Sequence, residues 1–411
     1  MKNRRNCLVV WCLIYNWAVL AQPEWYEGTP LPAPRYGMAA VLWQDKLVVI
    51  GGRDQNQMPL ASIVSYDLKK NTWEEFGPQL NGARAHAAAV VYGNEIFVIG
   101  GHDGERPLAA VESYNASTGR WSEIGALNVA REAAAAVIHN NLIHVIGGFD
   151  GEDQSLASTE TYDTTSKTWT SGNWEMLKAR AALSAVTYRD SIFVFGGIYF
   201  GPNGTVERYH SSEGSTWRAE MPTPRGRMAA VGFDSKIWVI GGSSQGGATS
   251  LVERFLPEFD SWETGPSLPD PREMHAAVSA AGKLYVIGGR DLQDNALATV
   301  EIIDGQVTAV DEFHSANPAK YALSSHPNPF TSHVEFRFLN GSGETEELRI
   351  DIVNLLGRKV KSILWNSTRQ QSLRWNGQDE LGRAVPSGVY FAVIRTGRQR
   401  LTHKLIRLRQ Q

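Results

Sequence analysis

A pair of adjacent glycines recurs six times in the first three quarters of this chain, each time after a run of apolar residues. An arginine precedes every pair by 16 residues, whereas successive pairs are 45 to 49 residues apart. A fixed period of this length is typical of stacked or radial repeat proteins. The constant interval predicts one rigid unit, and the variable remainder predicts loops. The pairs begin at Gly51, Gly100, Gly147, Gly196, Gly241 and Gly288, and the arginines are Arg35, Arg84, Arg131, Arg180, Arg225 and Arg272.

Each repeat has the pattern of four short antiparallel strands. In the second copy, apolar runs flank the turn dipeptide Gly93-Asn94, which predicts a hairpin. Two further strands follow, and four strands per repeat make one propeller blade. The glycine pairs predict close backbone approach and unusual φ at a strand end. Aromatic–tryptophan pairs, expected to fill the wedge between blades, are seven residues apart in four copies and eight in one: Tyr66–Trp73, Tyr114–Trp121, Tyr162–Trp169, Tyr209–Trp217 and Phe255–Trp262.

These features resemble the kelch repeat over residues 25 to 303. Kelch proteins are β-propellers, so the resemblance implies an all-β fold with a six-bladed propeller. The sixth copy lacks its tryptophan, whereas Trp25 precedes Arg35 by 10 residues, as Trp121 precedes Arg131. We therefore expect the N-terminal strand to complete the last blade of a propeller that spans residues 22–310.

The first 21 residues have the pattern of a secretory signal peptide. A basic start that includes Arg4 and Arg5 precedes the apolar stretch 7–20, and cleavage is expected before Gln22. A membrane anchor is the alternative, but this stretch is too short to span a bilayer comfortably. We therefore predict export and no transmembrane segment.

Both cysteines of the chain, Cys7 and Cys12, lie in this predicted signal peptide. A mature chain without cysteine has no disulfide, no thiolate metal site and no cysteine nucleophile. This argues against the kelch-like copper oxidases, whose cofactor uses a cysteine cross-linked to tyrosine. We expect no cofactor and no metal.

The charge of the chain is distributed unevenly. The formal net charge is −3, yet residues 320–411 contain 15 basic and 7 acidic residues. The propeller must therefore be acidic, which disfavours nucleic-acid binding because phosphate contacts need lysine and arginine.

The C-terminal segment differs in pattern from the repeats. Residues 311–326 are predicted to be a linker, and the alternating strands of 327–411 predict a small immunoglobulin-like β-sandwich. This segment resembles the type A C-terminal sorting domains of the type IX secretion system of Bacteroidetes. The resemblance implies recognition by that machinery, export through periplasm and outer membrane, and a secreted or cell-surface location. The matching strings are Pro327-Asn328-Pro329-Phe330, Asn354-Leu355-Leu356-Gly357-Arg358, Trp375-Asn376-Gly377, Gly388-Val389-Tyr390 and Lys404-Leu405-Ile406-Arg407-Leu408.

No catalytic motif is present in the sequence, so candidate site residues come from the repeat itself. The six repeat arginines start the innermost strands, where they either contact a ligand or cap backbone carbonyls. Residues that break the repeat are stronger candidates, and Arg227 is the first of these because no other copy has an arginine there. His86 and His275 are further polar departures near the same rim, and the variable loops after the glycine pairs add Arg53, His102, Tyr199 and Arg290.

Two classes of function remain open from the sequence. The first is a secreted or cell-surface protein that binds a protein or glycan on its loop face. The second is a sugar-active kelch enzyme, such as a sialic-acid mutarotase or epimerase. Such an enzyme needs a general acid and a general base, for which Glu132, Glu273, His86 and Arg227 are candidates.

Overall fold

The computed structural model describes residues 24–152 and 154–305 of the N-terminal part. In the C-terminal part it describes residues 321–326, 330–340, 347–354, 358–366, 373–396 and 399–408. The regular structure of these residues is all strand, and they contain no helix that is long and apolar enough to cross a membrane. The predicted signal peptide and its cleavage site lie outside the described residues.

Six antiparallel sheets of four strands each make up the N-terminal part. We number them in chain order; the fourth strand of sheet 6 is β1 (Tyr26–Glu27), which precedes all others in the chain. Sheets 1 to 3 are β2–β5 (Ala39–Trp43, Lys46–Ile50, Ile63–Asp67, Thr72–Glu75), β6–β9 (Ala88–Tyr92, Glu95–Ile99, Ala110–Asn115, Arg120–Ala126) and β10–β13 (Ala135–His139, Leu142–Ile146, Ser158–Asp163, Thr168–Glu175). Sheet 4 is β14–β17 (Ser184–Tyr188, Ser191–Phe195, Val206–His210, Gly214–Arg218), sheet 5 is β18, β19, β22 and β23 (Ala229–Phe233, Lys236–Ile240, Val252–Leu256, Ser261–Thr264), and sheet 6 adds β24–β26 (Ala276–Ala280, Lys283–Ile287, Val300–Asp304). A two-stranded ribbon, β20–β21 (Ser243–Ser244 and Gly247–Ala248), lies between β19 and β22.

The sheets are arranged as a closed ring. The first strand of each sheet contacts the first strand of the next, and β24 of sheet 6 contacts β2 of sheet 1. Apolar side chains fill the spaces between neighbouring sheets; one such cluster joins Leu47 and Val49 of sheet 1 to Tyr285 and Ile287 of sheet 6. The predicted β-propeller fold is therefore confirmed.

A cycle of backbone hydrogen bonds runs around the inside of this ring. It is formed by the residues two positions after the repeat arginines, and all six have positive φ. The N–H of each donates to the carbonyl of the equivalent residue in the preceding sheet, with N···O distances of 2.7 to 2.9 Å. Positive φ is uncommon for residues other than glycine, so the geometry of the ring imposes it. The six, called the ring residues below, are Gly37, His86, Ala133, Ala182, Arg227 and Met274.

The glycine pairs form a second cycle. The N–H of the second glycine donates to the carbonyl of the repeat arginine in the next sheet, and Gly289 closes the cycle on Arg35 at 3.0 Å. A Cβ atom at Gly100 would lie 2.5 Å from the carbonyl oxygen of Arg131. Both glycines of every pair also have positive φ. Close approach and backbone conformation together require glycine at both positions.

The aromatic–tryptophan pairs lie on the outer two strands. In four sheets the two residues are cross-strand partners with ring centroids 5.0 to 5.4 Å apart. Sheet 4 is the exception, because Tyr209 pairs with Ser215 and Trp217 is 49% exposed. With the extra residue between Tyr209 and Trp217, Trp217 pairs with Glu207, two positions along the strand from Tyr209, so the two rings are not cross-strand partners. Tyr209 stacks on Trp174 instead, with centroids 4.2 Å apart.

The N-terminal segment is integrated into sheet 6. Tyr26 of β1 pairs with Ile302 of β26. The Trp25 indole N–H donates to the carbonyl of Pro266 at 2.8 Å, and its ring meets Trp238 edge to face. The same kind of indole–carbonyl bond occurs at Trp121, which donates to Pro78. The first and last parts of the repeat region are therefore held together in one sheet.

The C-terminal part contains two sheets. The strands β27 (Tyr321–His326), β28 (Val334–Asn340) and β31 (Leu373–Trp375) form one, and β29 (Glu347–Asn354), β30 (Lys359–Asn366), β32 (Gly388–Thr396) and β33 (Gln399–Arg407) form the other. Side chains from both sheets, among them Phe336, Trp375, Ile352 and Leu405, share one core. The immunoglobulin-like topology stays a prediction.

The predicted linker 311–326 is wrong at its C-terminal end, where the structure has a strand. β27 occupies residues 321–326 and pairs along its whole length with β28. This segment has no β-branched residue and precedes Pro327, so it lacked a strong strand signal.

Removal of residues 22–28 tests the closure of sheet 6. We expect a lower urea midpoint, because the deletion exposes the edge of β26 and removes the Trp25 contacts. Trp25→Ala alone should lower the free energy of unfolding by about 2 kcal/mol, less than the ~3–5 kcal/mol typical of a fully buried tryptophan. The control is Trp217→Ala, whose exposed ring should contribute less than about 1 kcal/mol. Equal effects of the two tryptophan substitutions would contradict this account.

Candidate functional site

The repeat arginines lie inside the sheets. None is more than 4% exposed. In sheet 3, Arg131 donates to the carbonyls of Gly147 at 2.9 Å and Ser158 at 3.1 Å, and Arg84 and Arg272 bond the equivalent carbonyls. Five of the six also pair with a buried glutamate on the third strand of their own sheet: Arg84–Glu112, Arg131–Glu160, Arg180–Glu207, Arg225–Glu253 and Arg272–Glu301.

These ion pairs also hold the loop segment that lies just before the repeat arginine. Besides Arg131, Glu160 accepts hydrogen bonds from the backbone N–H groups of Asn128 at 2.7 Å and Val129 at 3.1 Å. Leu177 makes the equivalent bond to Glu207. In sheet 3, arginine, glutamate and loop backbone therefore satisfy one another inside the protein, as buried charges require.

Arg35 is the one repeat arginine without such a glutamate, because Val64 occupies the equivalent position of sheet 1. Among the described residues, its guanidinium donates to the carbonyls of Gly51 and Ser62 alone. Burial lowers its pKa, and no carboxylate opposes that shift. The structure thus corrects the candidate site: Arg35, Arg84, Arg131, Arg180, Arg225 and Arg272 hold the scaffold and do not line the cavity described below.

Arg131→Met and Arg35→Met should differ in cost. Arg131→Met leaves buried Glu160 without its cation, which should reduce the free energy of unfolding by about 3–5 kcal/mol. Arg35→Met removes hydrogen bonds to two carbonyls but strands no carboxylate, so the loss should be only about 1–2 kcal/mol. Urea unfolding of both variants measures the difference. Equal losses of unfolding free energy in the two variants would mean that the unpaired Glu160 carboxylate does not destabilise Arg131→Met.

A cavity of about 950 Å³ opens at the loop end of the ring. Two positions per sheet meet there as antiparallel bridges: the residue after the repeat arginine and the residue after the glycine pair. The backbone is the same in every sheet, whereas the side chains at these positions vary; those of sheets 3 and 4 line the cavity and the others lie beside it. The bridges are Tyr36–Arg53, Ala85–His102, Glu132–Phe149, Ala181–Ile198, Gly226–Ser243 and Glu273–Arg290.

Four of the sequence-predicted residues line the cavity: His86, Tyr199, Arg227 and His275. Glu132 lines it as well. The sequence reasoning missed two other lining residues, Phe149 and Phe200, because it looked for polar departures from the repeat. The signal that could have revealed them was an aromatic residue within three positions of a glycine pair: Phe149 directly follows Gly148, and Phe200 is the third residue after Gly197.

The other three predicted residues do not line the cavity but lie in loops beside it. Arg53 lies 3.4 Å from the His102 imidazole, measured from Nη2 to Nδ1. Arg290 donates twice to Glu273, at 2.5 and 3.2 Å, and lies over the ring of Tyr36. These loops therefore place several cations around the mouth of the cavity.

The two glutamates in and beside the cavity differ in whether their carboxylates already have a partner in the protein. Burial raises the pKa of Glu132, against the opposing charges of His102 and Arg53, and within the described residues its carboxylate has no hydrogen-bond or ion-pair partner. Burial would also raise the pKa of Glu273, but the bonds from Arg290 and the charge of Arg227, 3.4 Å away, outweigh it and lower that pKa. The carboxylate of Glu273 is therefore already paired with arginine, whereas the carboxylate oxygens of Glu132 are free to accept hydrogen bonds in the cavity.

His86 is uncharged at neutral pH. Burial, followed by the charges of Arg53 and Arg227, lowers its pKa to about 4. The cavity thus offers an imidazole that both donates and accepts hydrogen bonds, a carboxylate that accepts, and the Arg227 guanidinium that donates.

His275 is a packing residue as much as a cavity residue. It is only 6% exposed, and the equivalent positions of the other sheets are Met38, Ala87, Ala134, Leu183 and Met228. Burial, with a contribution from Arg272, lowers its pKa to about 3.

His275→Met should make the protein more resistant to acid. Between the unfolded pKa of ~6.5 and the folded value of about 3, the unfolded chain binds a proton that the folded chain does not. Stability is therefore lost as the pH falls through this window, and methionine removes that loss. Relative to wild type, the variant should gain about 2–3 kcal/mol between pH 7.5 and 4.5 by urea unfolding. A pH-independent difference would show that His275 is not the responsible group.

Comparison with known proteins identifies the class of this β-propeller. Residues 2–197 match the KLHDC2/KLHL20/DRC7 Kelch-repeats domain, and residues 224–269 and 271–304 match the Kelch motif. Residues 324–407 match the Secretion system C-terminal sorting domain. The chain therefore belongs to the kelch-repeat family and carries a C-terminal sorting domain.

Individual relatives share only part of their length with this chain. It is 31% identical over 210 residues to Kelch repeat protein M-T8 of Myxoma virus (strain Lausanne), which covers 50% of this chain and 40% of that protein. It is 27% identical over 253 residues to Kelch-like protein 35 of Mus musculus, covering 60% and 42%. The chain thus spans less than half the length of these relatives. The solved structure of YjhT has a TM-score of 0.58, 13% identity and coverage of 66% of this chain and 96% of its own, which shows the fold alone.

Proposed function

We propose that this protein is an exported kelch propeller that binds its ligand in the cavity at the loop end of the ring. One observation carries the proposal: constant residues hold the scaffold, while the side chains that face the cavity differ from sheet to sheet. Such variation on a fixed backbone is typical of loops that carry function. The cavity volume also lies in the range of small-molecule sites.

Arg227→Ala tests the site directly. Alanine occupies the same ring position in sheets 3 and 4, so the backbone tolerates it and stability should change by less than about 1 kcal/mol. The full-length protein is first screened on an array of glycans and peptides, and its strongest ligand is then titrated calorimetrically. Arg227→Ala should weaken that binding at least tenfold.

The control for this experiment is Arg120→Ala, which removes an exposed arginine from the outer strand of sheet 2. Binding should not change in this variant. Loss of binding in both variants, or in neither, would contradict the proposal that the ligand binds in the cavity.

Export is the second part of the proposal. The sorting-domain match supports delivery to the surface or the medium by the type IX machinery, with the C-terminal domain as the export signal. Residues 320–411 fused to a reporter behind a signal peptide should reach the surface of a type IX-competent bacterium. A reporter that stays in the periplasm while the native protein is exported would contradict the assignment.

A sugar-active enzyme is the second candidate function. It is supported by the presence of Glu132, whose pKa is raised, and uncharged His86 in the same cavity. A carboxyl group and an imidazole are suitable for transferring protons to and from a sugar. Anomer exchange of sialic acid, followed by NMR with wild type and Glu132→Gln, distinguishes this candidate from pure binding.

A further inference from the structure

One loop at the cavity departs from the pattern of the others. After the glycine pair of sheet 4, three residues separate Ile198 from its bridge partner Pro202. The equivalent bridges in sheets 1, 2, 3 and 6 enclose four or five residues. Two of the three residues in the short loop, Tyr199 and Phe200, are aromatic.

Tyr199 replaces an aspartate that closes the equivalent loops. In sheets 1 and 6, for example, Asp54 and Asp291 each accept two backbone N–H bonds through one carboxylate oxygen at 2.8 to 2.9 Å. Asp103 does the same in sheet 2. A tyrosine lacks a carboxylate, and the backbone closes this loop instead through a hydrogen bond from Tyr199 to Gly201. The aromatic residue therefore does not serve the loop-closing role of the aspartate.

Phe200 is held in a conformation that packing does not explain. Its side chain is 98% exposed and its φ is +54°. Positive φ is sterically costly for a bulky residue, and an exposed ring gains nothing from burial. Tyr199, 41% exposed, contacts it edge to face with centroids 4.6 Å apart. Such strain combined with an exposed apolar group is characteristic of a binding element.

The charges of the cavity restrict what this aromatic pair can receive. Arg227, with Arg53 and Arg290 close enough to depress the pKa of His86, opposes a cationic ligand. The half-buried Glu132 carboxylate opposes an anionic one. A neutral molecule with several hydroxyl groups satisfies both, because each hydroxyl donates to a carboxylate and accepts from a guanidinium.

We propose that Tyr199 and Phe200 form an aromatic platform that stacks against the C–H face of a neutral pyranose, while Glu132 and Arg227 hydrogen-bond its hydroxyl groups. The electron-rich face of an aromatic ring attracts the weakly positive C–H groups of a sugar. The inference rests on the proposed binding function and names the class of ligand for that site.

The test uses the full-length protein and three neutral trisaccharides: cellotriose, maltotriose and mannotriose. Calorimetry measures binding to wild type, Phe200→Ala, Phe200→Trp and Trp217→Ala. At least one trisaccharide should bind to wild type, and Phe200→Ala should weaken it at least tenfold. Phe200→Trp should retain the affinity, because it keeps an aromatic face. Trp217→Ala, which removes an exposed aromatic from the outer strand of the same sheet, should have no effect.

Two comparison ligands, sialyllactose and a lysine-containing tripeptide, separate the possible failures. If either binds in an Arg227-dependent manner while no neutral trisaccharide does, the cavity remains the binding site and the neutral-sugar inference is overturned. Trisaccharide binding that is unchanged in Phe200→Ala, or equally reduced in Trp217→Ala, overturns the aromatic platform. If the trisaccharides, the comparison ligands and the array ligands all fail to bind, the proposed binding function fails as well.

Discussion

The closed cycle of backbone hydrogen bonds around the axis is the constraint on which the rest of this structure depends. Each ring residue donates to the sheet before it, and Gly37 completes the cycle by donating to Met274. The glycine pairs add a parallel cycle to the arginine carbonyls. Both cycles require positive φ at fixed positions, so every sheet must present the same backbone to the centre. The buried arginine–glutamate pairs then hold the approaching loops in place behind them.

This arrangement separates stability from recognition. The ring positions accommodate side chains as different as Gly37, Ala133 and Arg227 because their main-chain groups, not their side chains, close the ring. A new side chain at such a position changes the cavity without disturbing the scaffold. The same separation explains why the cavity can gather an acid, a base and an aromatic loop from different sheets without any local motif in the sequence.

Much of the fold could be predicted from spacing alone. The period, the glycine pairs and the arginines recur because every sheet needs the same backbone geometry. This repetition made them recognisable in the sequence. The eight-residue interval before Trp217 was visible too, but its exposure follows from strand register, which the interval alone does not specify. β27 was missed because it contains no β-branched residue, although in the structure it pairs along its whole length with β28.

The site was less predictable than the fold. His86 and Arg227 were predicted because they depart from the repeat, and Tyr199 because it lies in a variable loop after a glycine pair; all three line the cavity. The role of the repeat arginines could not be assigned from the sequence, since five of the six pair with glutamates about 28 residues away that become neighbours only in the folded sheet. The carboxylate of Glu132 is free and that of Glu273 is occupied chiefly because Arg290 and Arg227 pair with Glu273, contacts that arise only in the folded ring.

Residue-resolved hydrogen exchange of the ring amides tests the central claim most directly. If the cycle closes the propeller as one cooperative unit, the amides of Gly37, His86, Ala133, Ala182, Arg227 and Met274 should all exchange only through global unfolding. Their opening free energies should then equal those of the buried second strands, such as β3 and β7. Exchange of any one of them at the rate of an exposed loop amide would show that the ring opens locally and that the account is wrong.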